Sequence, residues 1–274
     1  MIFAKEFNRD FSNKEELFDF LRKNKKDIIA TKKMQFKEAD PLLFNNIPEK
    51  IKSSNISKAI ETQNNNLDEL KVKIVINTTN IMDSHSDVHI PGLWKKTLKE
   101  NKNIYLVQEH KMMFDKIIAE NVKAYTQSYS FNELGYNSNM TTEALIFDAD
   151  VLKERNDFMF KQYVKGWVKN HSVGMMYVKI FLAINSNSKY DIEEKEVWDK
   201  YIDEIVNKEE VINQGYFWAV TEAKLIEGSA VPIGSNKITP TISVSEKADN
   251  VTFSNLDNEP IKFTQNKTNI NNFI

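Results

Sequence analysis

The sequence predicts an α+β protein that is rich in strands, with helices flanking a β-rich core. Six segments between residues 70 and 230 have the lengths and apolar patterns of strands, and they outnumber the segments with helical spacing. A chain of 274 residues is long enough for one sizeable domain with appendages. These observations together favour a single β-rich core decorated by a few helices.

The chain begins with a predicted helix followed by a predicted linker. In "SNKEELFDFLRKNKKDII", Ser12 and Glu15 have the spacing of a capping box, and Leu17, Phe18 and Leu21 follow at helical spacing. Residues 36–68 are rich in Asn, Lys and Ser, which is typical of a linker. We therefore expect residues 1–69 to form a helical N-terminal extension and linker.

Residues 70–240 contain the predicted core. In "LKVKIVINT" the apolar residues alternate with period two, the signature of a half-buried strand. The other five strand segments are "IYLVQEH", "KIIAENVKAYTQ", "MTTEALIF", "SVGMMYVKIFLAI" and "GYFWAVTEAKLIEG". A helix is predicted in "DVLKERNDFMFKQYVKGWVKN", and the charged segment "EEKEVWDKYIDEIVNKEE" is predicted to be a helical insertion on the surface. Residues 241–274 have too few apolar residues to pack, and we expect a flexible tail there.

Composition excludes several classes of chemistry. The absence of cysteine rules out disulfides, thiolate catalysis and cysteine-ligated metal sites. A net charge of −2 provides no electrostatic reason to expect nucleic acid as a partner. No apolar run approaches the roughly 20 residues of a membrane helix, and the start "MIFAKEFNRDF" lacks the apolar segment of a signal peptide. We expect a soluble protein of a reducing or cytoplasmic compartment, with no membrane partner, cofactor or metal.

His171 and Ser172 are adjacent in sequence, which raises the question of whether they form a nucleophile and its base. Consecutive side chains on a strand point to opposite faces, so the two side chains are expected to diverge. Ser172 then needs a base from a distant part of the chain. His171 is predicted to be a bystander at the entrance of the strand, with no role in catalysis and a tolerated change to alanine.

Three other segments contain candidate groups. The predicted strand "IYLVQEH" ends at His110, and the later predicted strand in "AKLIEGSAVPIGSN" ends near Glu227, a carboxylate that could orient an imidazole. In "DSHSDVHIPG", four side chains would share one face of an extended segment and could ligate a divalent metal: Asp83, His85, Asp87 and His89. An exposed strand end running into a turn accounts equally for that alternation of polar residues.

Three segments occur in an order and at positions that match a known family. They are "DSHSDVHIPGLWKKTLKENKNIYLVQEH", "YVKGWVKNHSVGMMY" and "LIEGSAVPIGSN". In these the chain resembles the prohead (capsid maturation) serine proteases of tailed bacteriophages, which are distantly similar to the herpesvirus assemblins. The resemblance covers about residues 70–240. It implies His110 as general base, Ser172 as nucleophile and Glu227 as the third member of the triad.

The resemblance also implies an architecture and a biological role. The family's fold is a closed β-barrel core flanked by helices, and its members act inside the phage prohead in the bacterial host cytoplasm. The implied substrates are scaffold segments, the major capsid protein and the protease itself, and self-association is expected.

The chain departs from the family pattern at several positions. Lys111 stands where the family often has Asp, Met175 replaces an aromatic residue, and Gly228, Gly234 and Ser235 replace Val, Pro and Ala. Glu222 remains the competitor of Glu227, and the assemblins use a second histidine as third member. Two other functions stay open, namely a metal-dependent hydrolase built on the Asp83–His89 segment and a non-catalytic capsid or scaffold component.

Overall fold

The computed structural model describes residues 1–34, 67–100, 103–120 and 122–246. Strands account for 41% and helices for 28% of these residues, so the predicted strand-rich α+β class is confirmed. Most of the predicted linker, residues 35–66, and the tail beyond residue 246 lie outside the described residues. None of the helices in the described ranges is long and apolar enough to cross a membrane.

Eleven strands and five α-helices make up the described part of the chain. The strands are β1 (Ile2–Ala4), β2 (Arg9–Phe11), β3 (Glu69–Thr78), β4 (Asp87–His89), β5 (Leu106–Gln108), β6 (Ile117–Ala119), β7 (Val122–Ser130), β8 (Thr141–Leu152), β9 (Asn170–Ile184), β10 (Tyr216–Val231) and β11 (Thr241–Glu246). The helices are α1 (Lys14–Met34), α2 (Thr97–Glu100), α3 (Asp157–Val164), α4 (Ile192–Tyr201) and α5 (Lys208–Gln214). Short 3-10 turns occupy Lys5–Phe7, Phe114–Lys116 and Ile202–Glu204.

The N-terminal region packs into the main core. Strands β1 and β2 form a small antiparallel hairpin, and the apolar face of α1 joins a buried cluster with β3, β9 and β10. The predicted capping box at α1 is displaced by one residue, because the Glu16 amide donates to Asn13 (2.9 Å) and the Ser12 amide donates to the Glu16 carboxylate (2.8 Å). Residues 1–34 therefore pack against the sheets of the main core.

A buried ion triad ties α1 to the rest of the fold. The Lys32 ammonium lies 2.6 Å from Glu6 and 2.7 Å from Asp87, with all three side chains largely inaccessible to water. Burial alone lowers the pKa of an ammonium, but the two neighbouring carboxylates overcome this and raise the pKa of Lys32. No local sequence pattern indicates this triad, because its three residues lie on separate elements of the fold.

One four-stranded sheet is entirely antiparallel, with the order β11-β3-β8-β7. Strand β11 pairs with β3 from Thr241 to Glu246, so these six residues are ordered by backbone hydrogen bonds. The predicted start of the flexible tail at residue 241 is therefore wrong for residues 241–246. The few apolar residues of this segment predict no packing, but a strand that pairs through its backbone with the edge of an existing strand needs few apolar side chains.

The second sheet has five strands arranged around β10. Along its length β10 pairs with β9 in antiparallel fashion, and on its other edge it pairs in parallel with β4 and then with β5, which in turn pairs with β6. Strand β9 carries Ser172, β5 leads to His110 and β10 carries Glu227. The three predicted site residues therefore lie on or directly after three neighbouring strands.

The two larger sheets pack against each other at close range. A Cβ atom at Gly228 on β10 would lie 2.4 Å from the Phe147 ring on β8 and 2.9 Å from Ile76 on β3. This contact explains why glycine occupies position 228. In the described residues none of the sheets closes into a barrel, so the predicted closed barrel is not confirmed.

The predicted surface insertion is partly buried. Trp198, Ile202, Ile205 and Val211 pack against Phe217 and other residues of β9 and β10, forming a second buried apolar cluster. The charged composition of this segment concealed a well-defined apolar side. Helices α4 and α5 therefore cover one end of the five-stranded sheet.

Candidate active site

Ser172 lies near the start of β9, directly opposite Ser229 on β10. Residues directly opposite each other in an antiparallel pair project from the same face, so the two hydroxyls are neighbours. The register continues without a bulge to the pair Gly174 and Glu227, which places the Glu227 side chain on this face as well. Ser172 is 5% exposed.

His110 lies in a tight turn just beyond the end of β5. The backbone of Glu109 and of His110 is left-handed, with φ angles of 52° and 57°. Each such non-glycine residue costs about 1–3 kcal/mol and persists only where surrounding contacts enforce it. The sequence "QEHK" contains no glycine or asparagine, the residues that usually indicate a left-handed turn.

The turn is held by hydrogen bonds to β10. The Glu109 amide donates to the Ala230 carbonyl (3.0 Å), and the His110 amide donates to the Ser229 hydroxyl (2.8 Å). A third bond, from the Lys111 amide to the Gln108 carbonyl (3.0 Å), closes the turn on itself. The backbone of His110 is thus attached to β10 at the position facing Ser172.

Glu227 holds the His110 ring. The distance from His110 Nδ1 to Glu227 Oε1 is 2.6 Å, with the side chains 5% and 0% exposed. A carboxylate in its ionised form only accepts hydrogen bonds, so this contact fits the tautomer with the proton on Nδ1 and with Nε2 as the acceptor nitrogen. Because Glu227 and Ser172 share one face of the sheet, the bond brings the ring to the face from which Ser172 projects. The second carboxylate oxygen, Oε2, is buried without a hydrogen bond from any described residue.

His110 and Ser172 flank β10 from opposite sides. Strands β5 and β9 are both its neighbours, so about 10 Å separates their backbones. Within the described residues, a hydrogen bond between the Ser172 hydroxyl and the His110 ring is not formed. Nucleophile and base contacts are often long in the absence of substrate and shorten when it binds.

Glu222, the competitor of Glu227, lies earlier on β10 and contacts two lysines instead of His110. Its carboxylate forms ion pairs with Lys179 (2.7 Å) and Lys96 (3.3 Å), and the hydrogen bond from Lys179 lowers its pKa. The carboxylate that contacts His110 is Glu227. The geometry therefore favours Glu227 over Glu222 as its orienting partner.

His171 projects to the opposite face from Ser172 and is completely buried. Its ring makes two hydrogen bonds, Nε2 with the Tyr163 hydroxyl (3.1 Å) and Nδ1 with the Thr239 carbonyl (3.1 Å). Burial lowers the pKa of His171 to about 4, so the ring is neutral. The predicted divergence from Ser172 agrees with this geometry, but the predicted tolerance of alanine does not, because substitution would leave buried polar groups unpaired.

The Asp83–His89 segment does not form a metal site in the described residues. Asp83 caps a turn by accepting from the His85 and Asp87 amides (2.8 and 3.0 Å), so only Asp87–His89 of this segment is extended, as strand β4. Asp87 binds Lys32 and accepts from the Tyr177 hydroxyl (2.7 Å), while the His89 ring bonds to Asn77 (2.8 Å). No group of three or more metal-binding side chains occurs in the described ranges.

Sequence reasoning missed Ser229. The residue is completely buried within "LIEGSAVP", and its hydroxyl accepts from the His110 amide. The available signal was its spacing: Ser229 lies two residues after Glu227 on a strand, so both share one face.

The glycine at position 234 also has a packing reason. A Cβ atom there would lie 2.6 Å from the His171 carbonyl oxygen. The loop after β10 therefore passes too close to β9 for any larger residue.

Comparison of the chain with protein-family models, curated proteins and solved structures finds no match. A functional proposal therefore rests on the geometry of Ser172, His110 and Glu227 and on the resemblance of the three sequence segments.

Proposed function

We propose that this chain is a serine endopeptidase with Ser172 as nucleophile, His110 as general base and Glu227 as the residue that orients the base. The observation that carries the proposal is the 2.6 Å bond between His110 Nδ1 and Glu227 Oε1, buried on the face from which Ser172 projects. A histidine held by a buried carboxylate next to a serine is the arrangement that acyl transfer requires.

The proposed reaction begins with attack of the Ser172 hydroxyl oxygen on a peptide carbonyl carbon. His110 Nε2 takes the hydroxyl proton as the new C–O bond forms, and returns a proton to the leaving amine as the C–N bond breaks. Water then attacks the acyl carbon while His110 Nε2 takes one of its protons, and that proton passes to the Ser172 oxygen as the ester C–O bond breaks and the carboxylic acid leaves. Glu227 keeps the proton on Nδ1 and stabilises the imidazolium that forms transiently.

The biological setting is proposed from the resemblance to prohead proteases. It comprises cleavage of scaffold segments, of the major capsid protein and of the chain itself, inside the prohead in the bacterial host cytoplasm. The same resemblance leads us to propose that the chain self-associates and that its core is a closed β-barrel. No nucleic acid, membrane, metal or cofactor takes part in it.

The test is intact-mass analysis after co-expression with the cognate major capsid protein. The wild-type chain is expected to shorten itself or the capsid protein, whereas Ser172→Ala and His110→Ala are expected to leave both at full mass. Ser128→Ala, on strand β7 of the other sheet, is the matched control and should cleave like the wild type. A folded Ser172→Ala variant that still cleaves would refute the serine mechanism.

The same experiment separates the two other functions. Loss of cleavage with a chelator, together with indifference to Ser172→Ala, would indicate a metal-dependent hydrolase. Full-length wild-type chain and intact capsid protein after prolonged incubation would indicate a non-catalytic assembly component.

A further inference from the structure

The turn that carries His110 is strained and depends on contacts made elsewhere. Two consecutive non-glycine residues, Glu109 and His110, have left-handed backbone conformations. Conformations of this kind persist only where neighbouring groups hold them in place. The position of the His110 ring therefore depends on the groups that hold this turn.

Two bonds from β10 hold His110, one at each end of the residue. Glu227 binds the ring at Nδ1 (2.6 Å), and the hydroxyl of Ser229 accepts from the backbone amide (2.8 Å). The two residues are separated by one strand period, so a single face of β10 presents both groups to His110. Ser229 is completely buried, so its hydroxyl is held inside the sheet where it accepts from the His110 amide.

We infer that Ser229 is a positioning residue that fixes the backbone of His110 so that its ring can reach both Glu227 and Ser172. This inference rests on the proposed serine peptidase function. Ser229 acts through His110 and does not itself react. Without its oxygen the strained turn loses its anchor next to the histidine, and the ring no longer stays over β10.

The experiment measures the rate at which an alkyl fluorophosphonate modifies the full-length protein, followed by intact mass and peptide mapping. In this reaction the Ser172 oxygen attacks phosphorus, fluoride leaves and His110 takes the hydroxyl proton. We expect labelling at Ser172 in the wild type and no labelling at that site in Ser172→Ala. Ser229→Ala is expected to be labelled on the order of 10²-fold more slowly, the effect typical of a misplaced catalytic group.

A matched control removes a similar bond far from the site. Thr142 is buried on β8, and its hydroxyl accepts from the Thr79 amide (2.9 Å). Thr142→Val should lose stability as Ser229→Ala does, but label at the wild-type rate. If Ser229→Ala labels as fast as the wild type while Ser172→Ala stays inert, the inference is wrong and the proposed function stands. Labelling of Ser172→Ala at the wild-type rate refutes the proposed function instead.

A spectroscopic measurement tests the inference without relying on catalysis. An imidazole N–H bonded to a carboxylate at 2.6 Å gives a far-downfield proton resonance, which Glu227→Gln identifies by its loss. We expect this resonance to be absent in folded Ser229→Ala and present in Thr142→Val. Its persistence in Ser229→Ala would overturn the inference. Should Ser229→Ala not fold, hydrogen exchange of the wild type decides, because an unprotected His110 amide is incompatible with the anchor.

Discussion

Replacement of Glu227 by glutamine removes the negative charge next to His110 while it preserves the size and shape of the side chain. Glu227 Oε1 lies 2.6 Å from His110 Nδ1 and requires a proton on that nitrogen. The glutamine amide can donate to Nδ1 instead, which stabilises the tautomer with its proton on Nε2. Nε2 then cannot accept the proton of Ser172, although every atom of the site is still in place.

The expected loss follows from this change of tautomer. The corresponding change in a serine protease triad lowers turnover by on the order of 10⁴, which corresponds to about 5 kcal/mol of transition-state stabilisation. We expect a reduction of this size for Glu227→Gln, measured as the labelling rate with an alkyl fluorophosphonate and as cleavage of the capsid protein. Circular dichroism and thermal unfolding establish that the variant is folded.

Glu222→Gln is the matched control, because it makes the same substitution on the same strand. Its carboxylate pairs with Lys96 and Lys179, whose side chains are mostly exposed, so loss of its charge should have little effect. A folded Glu227→Gln variant with near wild-type rates would refute the assignment. Loss of turnover in Glu222→Gln but not in Glu227→Gln would transfer the role to Glu222.

Three further predictions concern stability. Lys32→Met leaves two buried carboxylates without their counter-ion, and we expect a loss of about 3–5 kcal/mol and a fall of roughly 6–20 °C in Tm by calorimetry; a loss below about 1 kcal/mol would contradict the buried triad. Burial lowers the pKa of His171 to about 4 in the folded state, whereas an unfolded histidine has a pKa of about 6.5. Between these two values the unfolded state binds one more proton than the folded state. The free energy of unfolding should therefore fall by about 3 kcal/mol as the pH falls from 6.5 to 4. That pH dependence should weaken in His171→Asn, and an unchanged slope in urea titrations would count against a neutral buried ring. Gly228→Val forces a Cβ atom to within 2.4 Å of the Phe147 ring and should cost about 1–3 kcal/mol or more, with partial recovery in a double variant with Phe147→Leu; equal losses in the single and double variants would exclude this clash.

Strand and helix positions followed closely from periodicity. The six predicted strand segments correspond to β3, β5, β6 with β7, β8, β9 and β10, and the predicted helix before Ser172 is α3. Alternation was less informative about which face is buried. On β9 the inward positions are odd-numbered up to Tyr177 and even-numbered from Ile180, because a bulge against β10 shifts the register between them.

The sequence by itself determined the strand-rich α+β class, the exclusion of cysteine chemistry, and a short set of candidates that includes His110, Ser172 and Glu227. Each of these depends on residue identity or on the local spacing of apolar residues, and both can be taken directly from the sequence. Only the tertiary structure decided that Glu227 and not Glu222 binds His110, that His171 is a buried neutral group, and that residues 83–89 serve a turn and an ion triad. It also revealed Ser229 and the left-handed turn that it anchors. Most of these features depend on strand register and on contacts between residues far apart in the chain, such as His110 with Glu227 and Lys32 with Asp87. A strained backbone that distant hydrogen bonds hold in place has no signature in the local sequence.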